Sequence, residues 1–320
     1  MMKRITAFLL AVFVFFYVIP VPVSAAEPYN QHFESSEEKM LDQYYGTMLD
    51  GLGEHAAILT SDKDNTFQAD VESALLVDAT KDEVLASYHA LKRVYPASTT
   101  KVLTALITLE NCKLTEEVKI KSDITFHESG VVAVGLKKGD KVKIEGLLNA
   151  LLVESANDAA VALAEHIAGS SKAFAKMMNQ RAKELGATSC NFVTSNGLHN
   201  KDHYITAYDM YLIFKEAIKH DAFLNIVKKA NYTLEYEMAS GTPVNLPMET
   251  TNHYITGEYA LPGNIFMIGG KTGTTSQAGS CLVILTEDSK GEQYISLVYN
   301  GATKDILYNT MTDLLEKTHK

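Results

Sequence analysis

Hydrophobic positions first fall into a regular pattern near residue 74. In "SALLVDATKDEVLASYHA" two short apolar runs, Ala74–Val77 and Val84–Tyr88, flank a polar turn, which predicts a β-hairpin. Apolar residues then recur at helical spacing over Ser98–Asn111, Ile144–Val153, Asp158–Ala168, Lys172–Leu185 and Thr206–Lys219. The last of these opens Thr-Ala-Tyr-Asp, a capping-box-like start with Thr206 and Asp209. Past Asn231 the pattern returns to strands in "NYTLEYEM", "NIFMIGG", "SCLVILTED" and "EQYISLVYN", and Lys304–Glu316 closes the chain as an amphipathic helix. No internal repeat is visible. Strands at both ends with helices between predict an α+β domain: an antiparallel β-sheet assembled from distant parts, flanked by helices, with an all-helical lobe.

The N-terminus follows a different rule. Lys3 and Arg4 precede an apolar run from Ile5 to Ile19, then Pro20, Pro22 and the small residues Val23-Ser24-Ala25-Ala26. This is the order of a secretory signal, so residues 1–26 are expected to be a cleaved signal peptide. Fifteen apolar residues are short for a bilayer span, though an uncleaved N-terminus would serve as an anchor. No Cys lies near the cut, which excludes a lipoprotein. The rest of the chain is expected to work outside the cytoplasm. Residues 27–70 are polar and acidic, with one weak helical stretch at Glu37–Met48, and read as an N-terminal extension before a domain over 71–320.

Composition then excludes several classes. Without Lys3 and Arg4 the chain carries 27 basic against 39 acidic residues and no basic stripe. Nucleic acid and anionic bilayers therefore gain no electrostatic help. Cys112, Cys190 and Cys281 are odd in number and widely spaced, which fits neither a disulfide framework nor a zinc knuckle.

Three short motifs carry candidate chemistry. Ser98 and Lys101 stand three apart at the head of a helix whose Val102, Leu103, Ala105, Leu106, Ile107 and Leu109 cover nearly every face. A helix that is apolar all round is buried, and i, i+3 places hydroxyl above amine. On these residues alone, a serine cap with a lysine snorkelling to solvent fits equally well. Ser155-Ala156-Asn157 forms a polar elbow between two apolar runs, where Ser155 is also readable as a helix cap completed by Asp158. Lys271-Thr272-Gly273 follows an apolar strand and a Gly pair, and the bare Gly273 lets another backbone approach closely, although on its own the Gly269–Gly273 stretch reads better as turn chemistry alone. Imitations at Ser36–Lys39, Ser189–Asn191 and Lys137–Gly139 lack these surroundings.

The ordered trio is shared by class A β-lactamases and penicillin-binding proteins. With "YPASTTKVLTALITLE", "ESANDAAVALAEHIAG", "NGLHNKDHYITAYDM" and "GGKTGTTSQAG", the chain from about Val71 onward resembles the serine D-alanyl-D-alanine carboxypeptidases, low-molecular-weight penicillin-binding proteins of the β-lactamase/transpeptidase-like fold. The resemblance implies that Ser98 is the acylated nucleophile, Lys101 its base and Ser155 a proton relay. Asn157 would orient Lys101 and the substrate amide. Lys271, Thr272 and Thr274 would hold the terminal carboxylate, with Gly273 between them, and the N–H groups of Ser98 and Thr274 would form the oxyanion hole. It implies a peptidoglycan stem peptide as substrate, β-lactams as covalent inhibitors, and no cofactor or metal.

Three rivals remain. A class A β-lactamase needs a deacylating Glu between the second and third motifs; Glu165, Glu184 and Glu216 all fall in helical patterns without a suitable loop. A zinc peptidase would use His199 and His203, but no Glu lies between them and the segment reads as a loop. A non-catalytic wall-binding protein requires damaged motifs, and these are intact. The chain departs from many relatives in Ala156, where Gly is frequent, and it is expected to lack their β-rich second domain and C-terminal membrane-gripping helix.

Overall fold

The computed structural model describes Ala57, Leu59, 65–126 and 130–319. The signal segment, the Glu37–Met48 stretch and the Ser36–Lys39 imitation lie outside the described residues. The opening hairpin is β1 (Ser73–Asp78) and β2 (Glu83–Tyr88), paired antiparallel. A single 3-10 turn, Ala97–Thr100, leads directly into α1 (Lys101–Asn111). After the short strands β3 (Glu117–Lys119) and β4 (Lys141–Lys143), α2 (Ile144–Asn149) runs into a wider π-helical turn, Ala150–Glu154. The helical lobe continues through α3 (Asn157–Ala168), α4 (Ser171–Glu184), α5 (Ala207–Ala217) and α6 (Asp221–Val227). Strands β5 (Asn231–Glu237) and β6 (Pro243–Glu249), the short α7 (His253–Thr256), and β7 (Ile265–Thr275), β8 (Gly279–Asp288) and β9 (Gln293–Gly301) follow. Helix α8 (Lys304–Leu315) completes the order.

The main sheet has the order β2-β1-β9-β8-β7, antiparallel at every pairing, so both ends of the sequence meet in one layer as the hydrophobic pattern predicts. Every residue of β1 is buried, because both faces of the sheet are covered. Leu75 and Val77 join the large core under the helical lobe, while Ala74 and Leu76 pack with Leu307, Met311 and Leu314 of α8.

A second sheet, β3-β4-β5-β6, was not expected from the sequence. Its reasons for escaping notice are local. Strands β3 and β4 are three residues each, Glu-Val-Lys and Lys-Val-Lys, with a single buried Val apiece. Strand β6 carries Pro243 and Pro247, tolerable only because it lies on the sheet edge. Short α6 and α7 likewise show too few turns for a periodic signal.

The capping expectations split. Thr206 does cap α5, its hydroxyl accepting from the Asp209 N–H at 3.0 Å. Ser155 does not cap α3. It takes a left-handed backbone (φ 68°), Ala156 occupies the cap position, and Asp158 faces the other way. Upstream, Ala57 is fully buried: its N–H donates to the Tyr211 hydroxyl at 2.9 Å and its carbonyl accepts from the Tyr208 hydroxyl at 2.7 Å, both tyrosines being on α5.

Candidate active site

Among the described residues two lysines are fully buried, and the charge of one acts on the other. Lys101 is 0% and Lys271 1% exposed, which rules out the snorkelling reading of Lys101. Its Nζ lies 2.7 Å from Ser98 Oγ, 3.0 Å from Asn157 Oδ1 and 2.7 Å from the Asn196 carbonyl. An amide oxygen and a carbonyl can only accept. Once neutral, the amine can donate its two hydrogens to them and turn its lone pair to the Ser98 hydroxyl. Burial is the main cause that holds Lys101 well below its ordinary value, and the charge of Lys271 pushes the same way. The Asp158 carboxylate opposes both, but it is occupied elsewhere. It accepts from the N–H groups of Val134, Gly135 and Leu136 at 2.8–3.1 Å. Burial holds Lys271 down to about 7. Lys101 carries the additional repulsion from Lys271.

Local backbone explains how each group is aimed. Ala97 is held in the left-handed region (φ 48°), a strained setting for a residue with a Cβ, immediately before Ser98. Behind it stands Gly197 (φ 82°), where a Cβ would lie 1.9 Å from the Ala97 carbonyl oxygen. In front runs β7, where a Cβ on Gly273 would come 2.7 Å from the Ser98 nitrogen. The serine turn is thus clamped between two glycines. Asn157 is fixed from the opposite side, with its backbone N–H and its side-chain amide both donating to the Val132 carbonyl at 2.9 Å. Thr104 Oγ1 donates to the Ser195 carbonyl at 2.6 Å and secures the loop that presents Asn196.

Of the residues expected from the sequence, Ser98, Lys101 and Asn157 are in direct contact, Lys271 is close enough to act on Lys101, and Gly273 abuts Ser98. Thr274, next along β7, is exposed, and the Thr272 hydroxyl bonds to that of Thr251. Ser155 is 7% exposed in the elbow two residues before Asn157. The sequence reading missed the Asn196 carbonyl, Gly197, Thr104, Asp158 and Thr251. Gly197 had a signal, the Asn-Gly pair in "SNGLHN", and Asp158 had one that pointed to a helix cap instead.

The His199–His203 pair is not a metal site. His203 Nε2 is 2.9 Å from Thr100 Oγ1, and its Nδ1 accepts from the Val193 N–H at 3.1 Å. Both nitrogens are thereby engaged, and burial lowers the ring to about 4, so it stays neutral. His199 packs edge-on against Tyr95.

Gly197→Ala tests the clamp. Overpacking of about 1–3 kcal/mol and a left-handed penalty of about 1–2 kcal/mol add here. The expected result is a clear fall in Tm by scanning calorimetry, together with slower acylation because the Ala97 carbonyl must move. An unchanged Tm would show that the serine turn has room the geometry does not suggest.

Comparison with known proteins places this arrangement in a family. Residues 59–303 match the peptidase S11 family model, described as D-alanyl-D-alanine carboxypeptidase. The carboxypeptidase DacF of Bacillus subtilis strain 168 is 30% identical over 251 residues, covering 77% of this chain and 61% of that protein. DacB2 of Mycobacterium tuberculosis is 33% identical over 233 residues, covering 72% of this chain and 75% of that one. The chain thus spans less than two thirds of the length of its Bacillus relative. Among solved structures, the Streptomyces K15 DD-transpeptidase superposes with a TM-score of 0.69 at 24% identity, covering 79% of this chain and 98% of that one. Penicillin-binding protein D2 of Listeria monocytogenes, solved with cefotaxime bound, gives 0.66 at 25% identity, covering 80% and 99%. The chain belongs to the D-alanyl-D-alanine carboxypeptidase family, peptidase S11.

Proposed function

We propose that the protein is a serine D-Ala–D-Ala carboxypeptidase that removes the terminal D-alanine from peptidoglycan stem pentapeptides. The observation that carries this reading is the fully buried Lys101 amine 2.7 Å from the Ser98 hydroxyl. Lys101 takes the proton as Ser98 Oγ attacks the penultimate D-Ala carbonyl. The N–H groups of Ser98 and Thr274 hold the developing oxyanion, since Gly273 lets β7 approach that nitrogen. Ser155 returns a proton to the leaving amine, and Asn157 keeps Lys101 aimed. Lys271, with the Thr272 and Thr274 hydroxyls, grips the free carboxylate. Water then hydrolyses the Ser98 ester.

The same serine accepts β-lactams, whose acyl group is expected to stay. A β-lactamase needs a free carboxylate to activate the deacylating water, and Asp158 is committed to three backbone N–H groups. The protein should therefore give a stoichiometric burst with nitrocefin and little further turnover. Sustained hydrolysis on the order of ten per second would overturn the carboxypeptidase reading in favour of a β-lactamase.

Incubation with a synthetic pentapeptide stem, followed by mass spectrometry, is the primary test. Loss of a single alanine is expected, and it should survive a chelator. An intact pentapeptide would favour a non-catalytic wall-binding role. On this proposal residues 71–320 are the catalytic domain, which acts outside the cytoplasm after export by residues 1–26. Among the described residues no helix is long and apolar enough to cross a membrane.

A further inference from the structure

We infer that Cys112, Glu116 and His166 form a zinc site that ties together the far ends of the two helices whose near ends hold Lys101 and Asn157. One ligand atom from each of the three residues lies within 4.8 Å of the other two. His166 Nε2 is 2.8 Å from Glu116 Oε1. Tetrahedral zinc, with bonds of about 2.3 Å to sulfur and about 2.0–2.1 Å to nitrogen or oxygen, needs donors roughly 3.3–3.7 Å apart. The His166–Glu116 spacing is shorter than that value, and the Cys112 sulfur lies within 4.8 Å of both partners. Small rotations reach it, and the carboxylate of Glu116, 42% exposed, is free to make most of the adjustment.

Three features on the page favour a cation here. Cys112 is the C-cap of α1, and His166 sits in the last turn of α3, so two helix C-termini converge with their negative dipole ends. The same end of α3 already attracts an ammonium, because Lys121 Nζ donates to the Glu165 carbonyl at 2.8 Å. A thiol, an imidazole and a carboxylate form a mixed set that suits zinc, whereas magnesium and calcium prefer oxygen alone. Burial and Glu116 raise the Cys112 thiol, so it is protonated until a divalent cation displaces the proton. Each side chain comes from a different part of the fold: the end of α1, the turn before β3, and α3. Partial exposure leaves the fourth position to water.

The consequence is mechanical. Helices α1 and α3 pack against one another in the core, and their N-terminal ends meet through the 3.0 Å contact of Lys101 Nζ with Asn157 Oδ1. Zinc at the opposite ends would fix the spacing of the pair without touching the reacting atoms. A chelator is then expected to lower Tm while carboxypeptidase chemistry persists.

The test uses the full-length protein, reduced and stripped of metal, titrated with Co2+ and then Zn2+. One cobalt per chain is expected, with a sulfur-to-cobalt charge-transfer band that zinc bleaches. Cys112→Ser should abolish the band. His166→Ala should weaken binding by at least about tenfold, since even indirect supports of metal ligands are worth 10–100-fold. His220→Ala should leave it unchanged. Circular dichroism checks folding, and Glu116→Gln, at an exposed position, supplies a second weakened variant if Cys112→Ser is damaged. Absence of stoichiometric binding, or cobalt binding that is undiminished in Cys112→Ser and Glu116→Gln, would reduce the cluster to a His166–Glu116 ion pair beside an inert thiol.

Discussion

Ser98→Ala is expected to abolish covalent labelling by fluorescent penicillin, and Lys101→Met to slow it by about a hundred- to ten-thousand-fold. The two outcomes differ because the groups do different work. Without Ser98 Oγ there is no acceptor for the acyl group. Without Lys101 the hydroxyl remains and the clamp between Gly197 and Gly273 still aims it, but nothing takes its proton as it attacks. Methionine keeps the length and apolar stem of the side chain, so α1 should stay packed. Its thioether cannot donate to Asn157 Oδ1 or the Asn196 carbonyl, which leaves those acceptors unmatched at a cost of about 1–3 kcal/mol. The measurement is the second-order acylation rate, with circular dichroism to show that the variant is folded. A Lys101→Met protein that acylates at the parent rate would remove the lysine from the mechanism and leave the base to be found elsewhere.

What the sequence disclosed about this site depended on whether function rests on a side-chain type or on a shape. Ser98 and Lys101 were legible because i, i+3 on an all-apolar helix stacks their tips, and the structure brings Oγ and Nζ to 2.7 Å. Lys271-Thr272-Gly273 was legible as the last of an ordered trio, behind a Gly pair and with a bare Gly273, although the strand runs on to Thr275 instead of ending before the motif. The third partner of Lys101 was hidden. It is the carbonyl of Asn196, and a backbone carbonyl has no residue-type signature. Asp158 was visible but misassigned, since its spacing to Ser155 imitates a capping box while its carboxylate serves a loop some twenty residues upstream. At fold level the five-stranded sheet followed from long apolar runs. The four-stranded one did not, because β3 and β4 offer one buried valine apiece and β6 is interrupted by Pro243 and Pro247, so that only β5 read as a strand.

Lys271→Met is expected to lower kcat/KM for a pentapeptide by about 10- to 100-fold, the worth of a hydrogen bond to a charged group, and to flatten the alkaline limb of the pH profile. The sign follows from the direction of each shift. Catalysis needs Lys101 neutral, so kcat/KM rises with pH through the lowered Lys101 value. Carboxylate binding needs Lys271 charged, so kcat/KM falls as pH rises through about 7. The working window is the pH range in which Lys101 is neutral while Lys271 is still charged. Removing the Lys271 charge also removes a repulsion that holds Lys101 down, so the acid limb of the variant should move to higher pH. Stability supplies an independent readout. From about pH 7 up to the ordinary 10.5 the unfolded chain binds a proton on residue 271 that the folded protein has released, so ΔG of unfolding climbs with pH across that range. In Lys271→Met that contribution is gone and the climb is shallower, the remainder belonging to Lys101. An alkaline limb that survives unchanged in Lys271→Met would assign the carboxylate grip to another group.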